Sequence, residues 1–153
     1  MHMEKDFFGW CKKKESLHNV SIEKTPYFHD RELWWAAIGV NIGFEQDGKN
    51  EHFERPVLVL RKFNKHLLLI VPQTSKSKEG KFFYKIVRDK KEYFLVLSQI
   101  RVISSKRLLR KLGMISEQDF ENVKKAVKTV SILKNDPALR RDLGGRSPFA
   151  TPL

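Results

Sequence analysis

Arg55-Pro56-Val57-Leu58-Val59-Leu60 and, after a short polar turn, His66-Leu67-Leu68-Leu69-Ile70-Val71-Pro72-Gln73-Thr74-Ser75-Lys76 are the stretches that decide the fold. Two apolar runs, bounded by prolines and separated by an Asn-Lys turn, predict neighbouring strands buried on most of both faces. A tight turn at Phe63 to Lys65 makes them antiparallel, so the start of the first and the end of the second lie at one end of the sheet. That arrangement sets Arg55 beside Thr74. A guanidinium that keeps its proton, next to a hydroxyl and further donors, suits a phosphate clamp. A strand-end arginine beside an ordinary polar loop is the plainer reading of these residues alone.

Upstream, Phe7, Trp10, Cys11 and Leu17 recur at helical spacing between Glu4 and His18, with Lys12, Lys13 and Lys14 among them, and predict a short helix packed on the domain by its large aromatics. Val20 to Asp30 has no period and predicts a linker. Leu33 to Ile38 predicts the first strand, and Gly39 to Glu54 a long polar loop of the kind that carries function.

Downstream, Gln73 to Gly80 is a second polar loop. Lys81 to Val87 and Glu92 to Leu97 predict strands around a turn at Arg88 to Lys91. In Ser98 to Ile103, alternation puts Gln99 and Arg101 opposite Ile100 and Val102. Ser105 to Lys111 predicts a basic connector ending at Gly113. Ser116-Glu117-Gln118-Asp119 resembles a capping box and opens a helix with the apolar stripe Phe120, Val123, Val127 and Val130; Asn135-Asp136-Pro137 ends it. One helix, five or six short strands and one helix predict a small, strongly bent antiparallel sheet or half-open barrel with helices at its ends.

The chain has 153 residues, room for one domain with a core. With 30 basic against 18 acidic residues its net charge is +12, which favours a polyanionic partner; an anionic membrane surface would feel the same field. A single cysteine, Cys11, offers neither an internal disulfide nor a metal cluster. No run is long enough to cross a bilayer and Met1 to Cys11 lacks a secretory apolar core, so the expectation is a soluble cytoplasmic protein with no membrane attachment.

Four pieces stand in one order: Gly43-Phe44-Glu45-Gln46, Arg55 to Leu60, Val71 to Lys76, and Leu97-Ser98-Gln99-Ile100-Arg101, followed by Lys106-Arg107-Leu108 and Lys111-Leu112-Gly113. This ordered set, from about Arg31 to about Leu133, resembles the MazF/PemK toxins of type II toxin–antitoxin systems. The resemblance implies an SH3-like barrel with a C-terminal helix over residues 31–134; the N-terminal helix and linker (1–30) and a flexible C-terminal tail (135–153) lie outside it. It also implies a homodimer, a cognate antitoxin, and an endoribonuclease that cuts single-stranded RNA, usually mRNA, without metal or cofactor, leaving a 2′,3′-cyclic phosphate and a 5′-hydroxyl.

In such chemistry the RNA supplies its own nucleophile, the 2′-hydroxyl, and the protein aligns it and stabilises charge on the phosphoryl oxygens. By the resemblance Arg55 and Thr74 are catalytic, Glu45 assists proton transfer, and Gln46, Ser75, Lys76, Gln99 and Arg101 contact RNA. Lys78, Lys81 and Arg88 are candidates to track the backbone, and Phe82 or Phe83 to stack bases. Two departures stand out: Ser98 occupies a position that is acidic in many members, and the loop from Gln46 to Arg55 is longer than usual. His52 and His66 are more plainly a solvated loop residue and a strand-edge residue than substitute bases. A non-catalytic nucleic-acid-binding barrel is the alternative.

Overall fold

The structure, a computed structural model, describes residues 4–131. Helix α1 (Phe7–His18) is followed by seven strands, β1 (Glu32–Ala37), β2 (Glu54–Lys62), β3 (Leu67–Thr74), β4 (Phe83–Arg88), β5 (Lys91–Val96), β6 (Arg101–Ser104) and β7 (Leu108–Met114), and then by helix α2 (Glu117–Val130). The strands form one bent antiparallel sheet in the order β4-β5-β3-β2-β1-β7, which does not close. Strand β6 pairs with the first half of β3, on the same edge that β5 takes at Gln73 and Thr74.

The β2–β3 hairpin is the wall between two cores, which is why both its strands are apolar at nearly every position. Val57, Val59, Leu68 and Ile70 face one core with Trp34, Ala36 and Ile103. The alternate residues Leu58, Leu60 and Val71 face the other with Leu33, Leu95 and, from α2, Phe120 and Val123. Val57 lies opposite Pro72 and Leu58 opposite Val71. Carried two residues on, that register sets Arg55 level with Thr74, as the sequence predicts. A bulge between Val59 and Arg61 bends the far half of the hairpin. The β4–β5 turn also falls where expected, with Asp89 and Lys90 at φ of 50° and 61°, the paired left-handed conformation of a two-residue hairpin.

Three expectations are corrected. The basic connector is a single 3-10 turn at Ser105–Arg107 followed by a strand, β7, that pairs with β1. Its cations find buried carboxylates. Arg110 donates from both terminal nitrogens to Glu54, at 2.7 and 2.9 Å, and the Lys111 ammonium bonds Glu32 at 2.6 Å. The expected Ser98 to Ile103 strand starts only at Arg101, because Leu97–Gln99 is a 3-10 turn; Ile103 is buried in the core of Val57 and Trp34, Ile100 packs against the other core, and Val102 is half exposed.

Helix α1, thirdly, buries only Trp10 and Leu17, against Ala37, Val40, Phe53 and Leu109. Phe7 and Phe8 are 51% and 73% exposed, and Cys11 is exposed too. Two contacts seven residues apart define a narrow stripe, so the other aromatics have no core to reach. The Ser116 hydroxyl caps α2 as expected, accepting from the Asp119 N–H at 3.0 Å. The expected stop at Asn135-Asp136-Pro137 and the tail 135–153 lie outside the described residues.

The buried ion pairs make a pH prediction. The hydrogen bonds from Arg110 hold the Glu54 carboxyl below its ordinary value of 4.5, burial opposing them. Burial alone would raise Glu32, but the bonds from Lys111, the Trp34 indole and the His29 N–H together lower it. The unfolded chain therefore takes up protons first, and this share of stability is present above the ordinary carboxyl pKa and lost as pH falls through the folded values. Denaturation midpoints measured between pH 6 and pH 3 should fall steadily below about pH 4.5, and Glu54→Gln should flatten that decline while lowering stability at pH 7.

Candidate functional site

Two hollows open side by side at the end of the hairpin where Arg55 and Thr74 stand. The smaller, of about 200 Å³, is lined by Arg55, Pro56, Gln73, Thr74 and Ser75 of the hairpin and its exit, with Trp35, Lys49, Glu54, Arg88 and Tyr93 around them. The larger, of about 540 Å³, is lined by the loop residues Asn41, Phe44, Glu45 and Gln46 and by Ser98, Gln99, Ile100 and Arg101, with Ile38 and Pro72 at its floor. The candidate residues thus fall into two groups. Arg55, Thr74 and Ser75 share the small hollow, while Glu45, Gln46, Gln99 and Arg101 share the large one. Lys76 lines neither; its backbone N–H donates to the Thr74 hydroxyl oxygen at 3.2 Å.

Arg55 is held by main-chain carbonyls. Its Nε donates to the Asp47 carbonyl at 2.6 Å and its Nη1 to the Gln73 carbonyl at 3.2 Å. Burial pushes its pKa down, and the nearby Asp47 carboxylate acts the other way; an arginine stays charged through such a shift. Neutral dipoles fix the guanidinium without cancelling its charge, and among the described residues part of the five-donor fork has no partner. Thr74 accepts one bond and keeps its O–H proton to donate. Two further buried atoms in this hollow, the Gln73 Oε1 and an Arg88 Nη1, have no hydrogen-bond partner among the described residues. Arg88 also stacks 4.8 Å from the Tyr93 ring centre.

Glu54 lines the same hollow, but both its oxygens bond Arg110 and its pKa is lowered, so it is a structural anion there. The large hollow holds the freer acid: Glu45 accepts one N–H, from Ile42 at 3.1 Å, through a single oxygen. Gln99 uses both ends of its amide on the loop, accepting from the Gln46 N–H at 2.6 Å and donating to the Phe44 carbonyl at 3.1 Å. It therefore acts as a clamp that seats Glu45 and Gln46 over the hollow. Arg101 lines the hollow beside Arg107, whose guanidinium is buried against the Ala37 carbonyl at 3.0 Å; burial, then the charge of Arg101, lowers the Arg107 pKa.

His52 and His66 line neither hollow. The His52 ring is half exposed, 3.5 Å from Glu51, and His66 sits exposed in the hairpin turn. Lys78 and Lys81 are exposed on the loop after β3, and Phe82 is 41% exposed under the Lys81 ammonium. Sequence reasoning missed Asp47 and Gln73, whose contribution is a backbone carbonyl and carries no residue-type signal. It also missed the walls Trp35 and Tyr93, which come from strands distant in sequence. No group of three or more His, Cys, Asp or Glu that could hold a metal occurs among the described residues. No helix among them is long and apolar enough to cross a membrane.

The family model for PemK-like, MazF-like toxins of type II toxin–antitoxin systems matches residues 30–131. No curated protein matches the chain. Among solved structures, MazF of Deinococcus radiodurans is similar at 22% identity and a TM-score of 0.57, covering 68% of this chain and 96% of that one. The MazE-MazF structure from the same organism gives 19%, 0.53, 68% and 95%. A mycobacterial endoribonuclease in complex with its cognate antitoxin gives 10%, 0.51, 67% and 93%. At these identities the structural likeness speaks to the fold.

The clamp can be checked without any substrate. Gln99→Ala removes both bonds to the loop, and hydrogen exchange at the Gln46 amide should quicken about tenfold, the equivalent of one hydrogen bond of ~1.4 kcal/mol, while β3 amides keep their protection.

Proposed function

The chain belongs to the PemK-like, MazF-like toxins of type II toxin–antitoxin systems, and from that premise we propose that it is an endoribonuclease that cuts single-stranded RNA by attack of a 2′-hydroxyl on the adjacent phosphate. The observation that carries this reading is the Arg55 guanidinium fixed by two carbonyls, with free donors at the level of the Thr74 hydroxyl. Those are the groups a pentacoordinate phosphorane needs, since charge gathers on its non-bridging oxygens as the 2′-oxygen closes. Arg55 neutralises that charge and Thr74 donates to one oxygen. Glu45, carried on the clamped loop, takes the proton of the 2′-hydroxyl from the neighbouring hollow; as the P–O2′ bond forms the P–O5′ bond breaks, and the leaving oxygen, beside the Arg55 donors, takes a proton from water to become the 5′-hydroxyl.

The RNA lies across both hollows, with the scissile phosphate at the small one and an adjoining nucleotide in the large one between Gln46, Gln99 and Arg101. Ser75 and Lys76 flank the strand at the exit of β3, and the net charge of +12 supplies salt-sensitive attraction along it. An antitoxin is the protein partner that membership of the family implies. A homodimer, with RNA running across its interface, completes the proposal.

Incubation with a long single-stranded RNA in excess EDTA tests this directly. Fragments should accumulate with 5′-hydroxyl ends. Arg55→Ala should slow their formation by about 10²–10³, the cost of one preorganised oxyanion donor, with circular dichroism unchanged. Fragments that vanish in EDTA, or that form equally fast with Arg55→Ala, would overturn the assignment. Salt-sensitive binding with no fragments would favour the non-catalytic barrel.

A further inference from the structure

Lys5 precedes α1 and lies outside residues 30–131, the part that matches the family. Its ammonium reaches across to the long loop, donating to the carbonyls of Asn41 at 2.6 Å and Gly43 at 3.0 Å and pairing with the Asp47 carboxylate at 3.0 Å. The side chains of Lys5 and Asp47 are only 23% and 30% exposed. The other Asp47 oxygen accepts from the Asn41 N–H at 2.6 Å, and the Asp47 carbonyl is one of the two that hold Arg55. Lysine, aspartate and arginine thus form a chain from the N-terminal segment to the site cation.

Helix α1 keeps the lysine in place. Asp6 caps it through the Gly9 N–H, and Trp10 lies flat on the neck of the loop at Gly39. Gly39 has φ +91°, and a Cβ there would fall 2.2 Å from the indole, so only glycine permits this approach. Arg107 stacks over Trp10 at 5.4 Å and ties the same neck through the Ala37 carbonyl.

A carboxylate on the residue whose carbonyl binds a guanidinium is a ready partner for that guanidinium. Were Asp47 to pair with Arg55, the site would become a neutral ion pair with little attraction for phosphate, and the tethered carboxylate would outcompete a substrate arriving from solution. We propose that Lys5 is a positioning residue: by engaging Asp47 it keeps that carboxylate off Arg55 and leaves the guanidinium open to an RNA phosphate. This rests on the reading of Arg55 as the phosphate ligand. It assigns the extra N-terminal helix a part in the site.

The test is a double-mutant cycle in the full chain. Lys5→Ala should lower kcat/KM for RNA about tenfold, mostly through KM, and Lys5→Arg should restore it. Adding Asp47→Asn to Lys5→Ala should recover most of the loss, because the released side chain then carries no charge. A Lys5→Ala enzyme as active as the wild type, or a double variant as slow as Lys5→Ala, would overturn the proposal; the second result would make Lys5 a simple brace. The same cycle read as affinity for an uncleavable 2′-deoxy oligonucleotide separates the two claims. If the wild type cuts no RNA but the binding cycle shows the loss and the rescue, the nuclease reading fails and the role of Lys5 stands. If cleavage is seen without rescue, only the role of Lys5 fails.

Discussion

A half-buried arginine tied by two backbone carbonyls is the constraint on which the site depends. A guanidinium taken partly out of water must be hydrogen-bonded, and a carboxylate would do this at the cost of cancelling its charge. The carbonyls of Asp47 and Gln73 satisfy geometry while the positive charge stays available. To bring those two carbonyls to one point, the chain needs the β2–β3 register on one side and an ordered loop on the other. Much of the remaining structure serves those two demands: two cores grip the hairpin from both faces, and Gln99, Lys5 and Trp10 hold the loop.

Elsewhere in the molecule buried charge is treated in the opposite way. Glu32 and Glu54 are almost fully enclosed, and each is met by a cation from β7. Removing the cation would leave a bare carboxylate in the interior, whereas Arg110 and Lys111 themselves remain about half exposed. These pairs sew the last strand to the sheet. The contrast between a cation held by dipoles and anions held by full charges separates the site from its scaffold.

The hairpin and the meeting of Arg55 with Thr74 were legible because their determinants are local: apolar runs of strand length, a polar turn and a fixed antiparallel register. Strand β7 was not, since the partners that tie Arg110 and Lys111 to the sheet lie 56 and 79 residues away, at Glu54 and Glu32. The spacing of Phe7, Trp10 and Leu17 announced a helix but not that Phe7 would stay outside, because the width of the docking stripe is set by Ala37, Val40 and Phe53 across from it. In the site, residue order suggested one constellation. Only the fold shows Glu45 and Arg55 in adjoining hollows, with Pro72 lining one and Gln73 the other.

In the proposed reaction the nucleophile comes from the substrate, and the protein aligns it, takes its proton through Glu45 and neutralises the charge that builds on the phosphate. Two single strands of one sequence, one of ribose and one of deoxyribose, offered to the wild-type protein in equal amounts, measure this most directly. Both strands should bind, only the ribose strand should be cut, and its upstream fragment should end in a 2′,3′-cyclic phosphate. Cutting of the deoxyribose strand, or fragments of RNA ending in a 3′-hydroxyl, would contradict the proposed reaction.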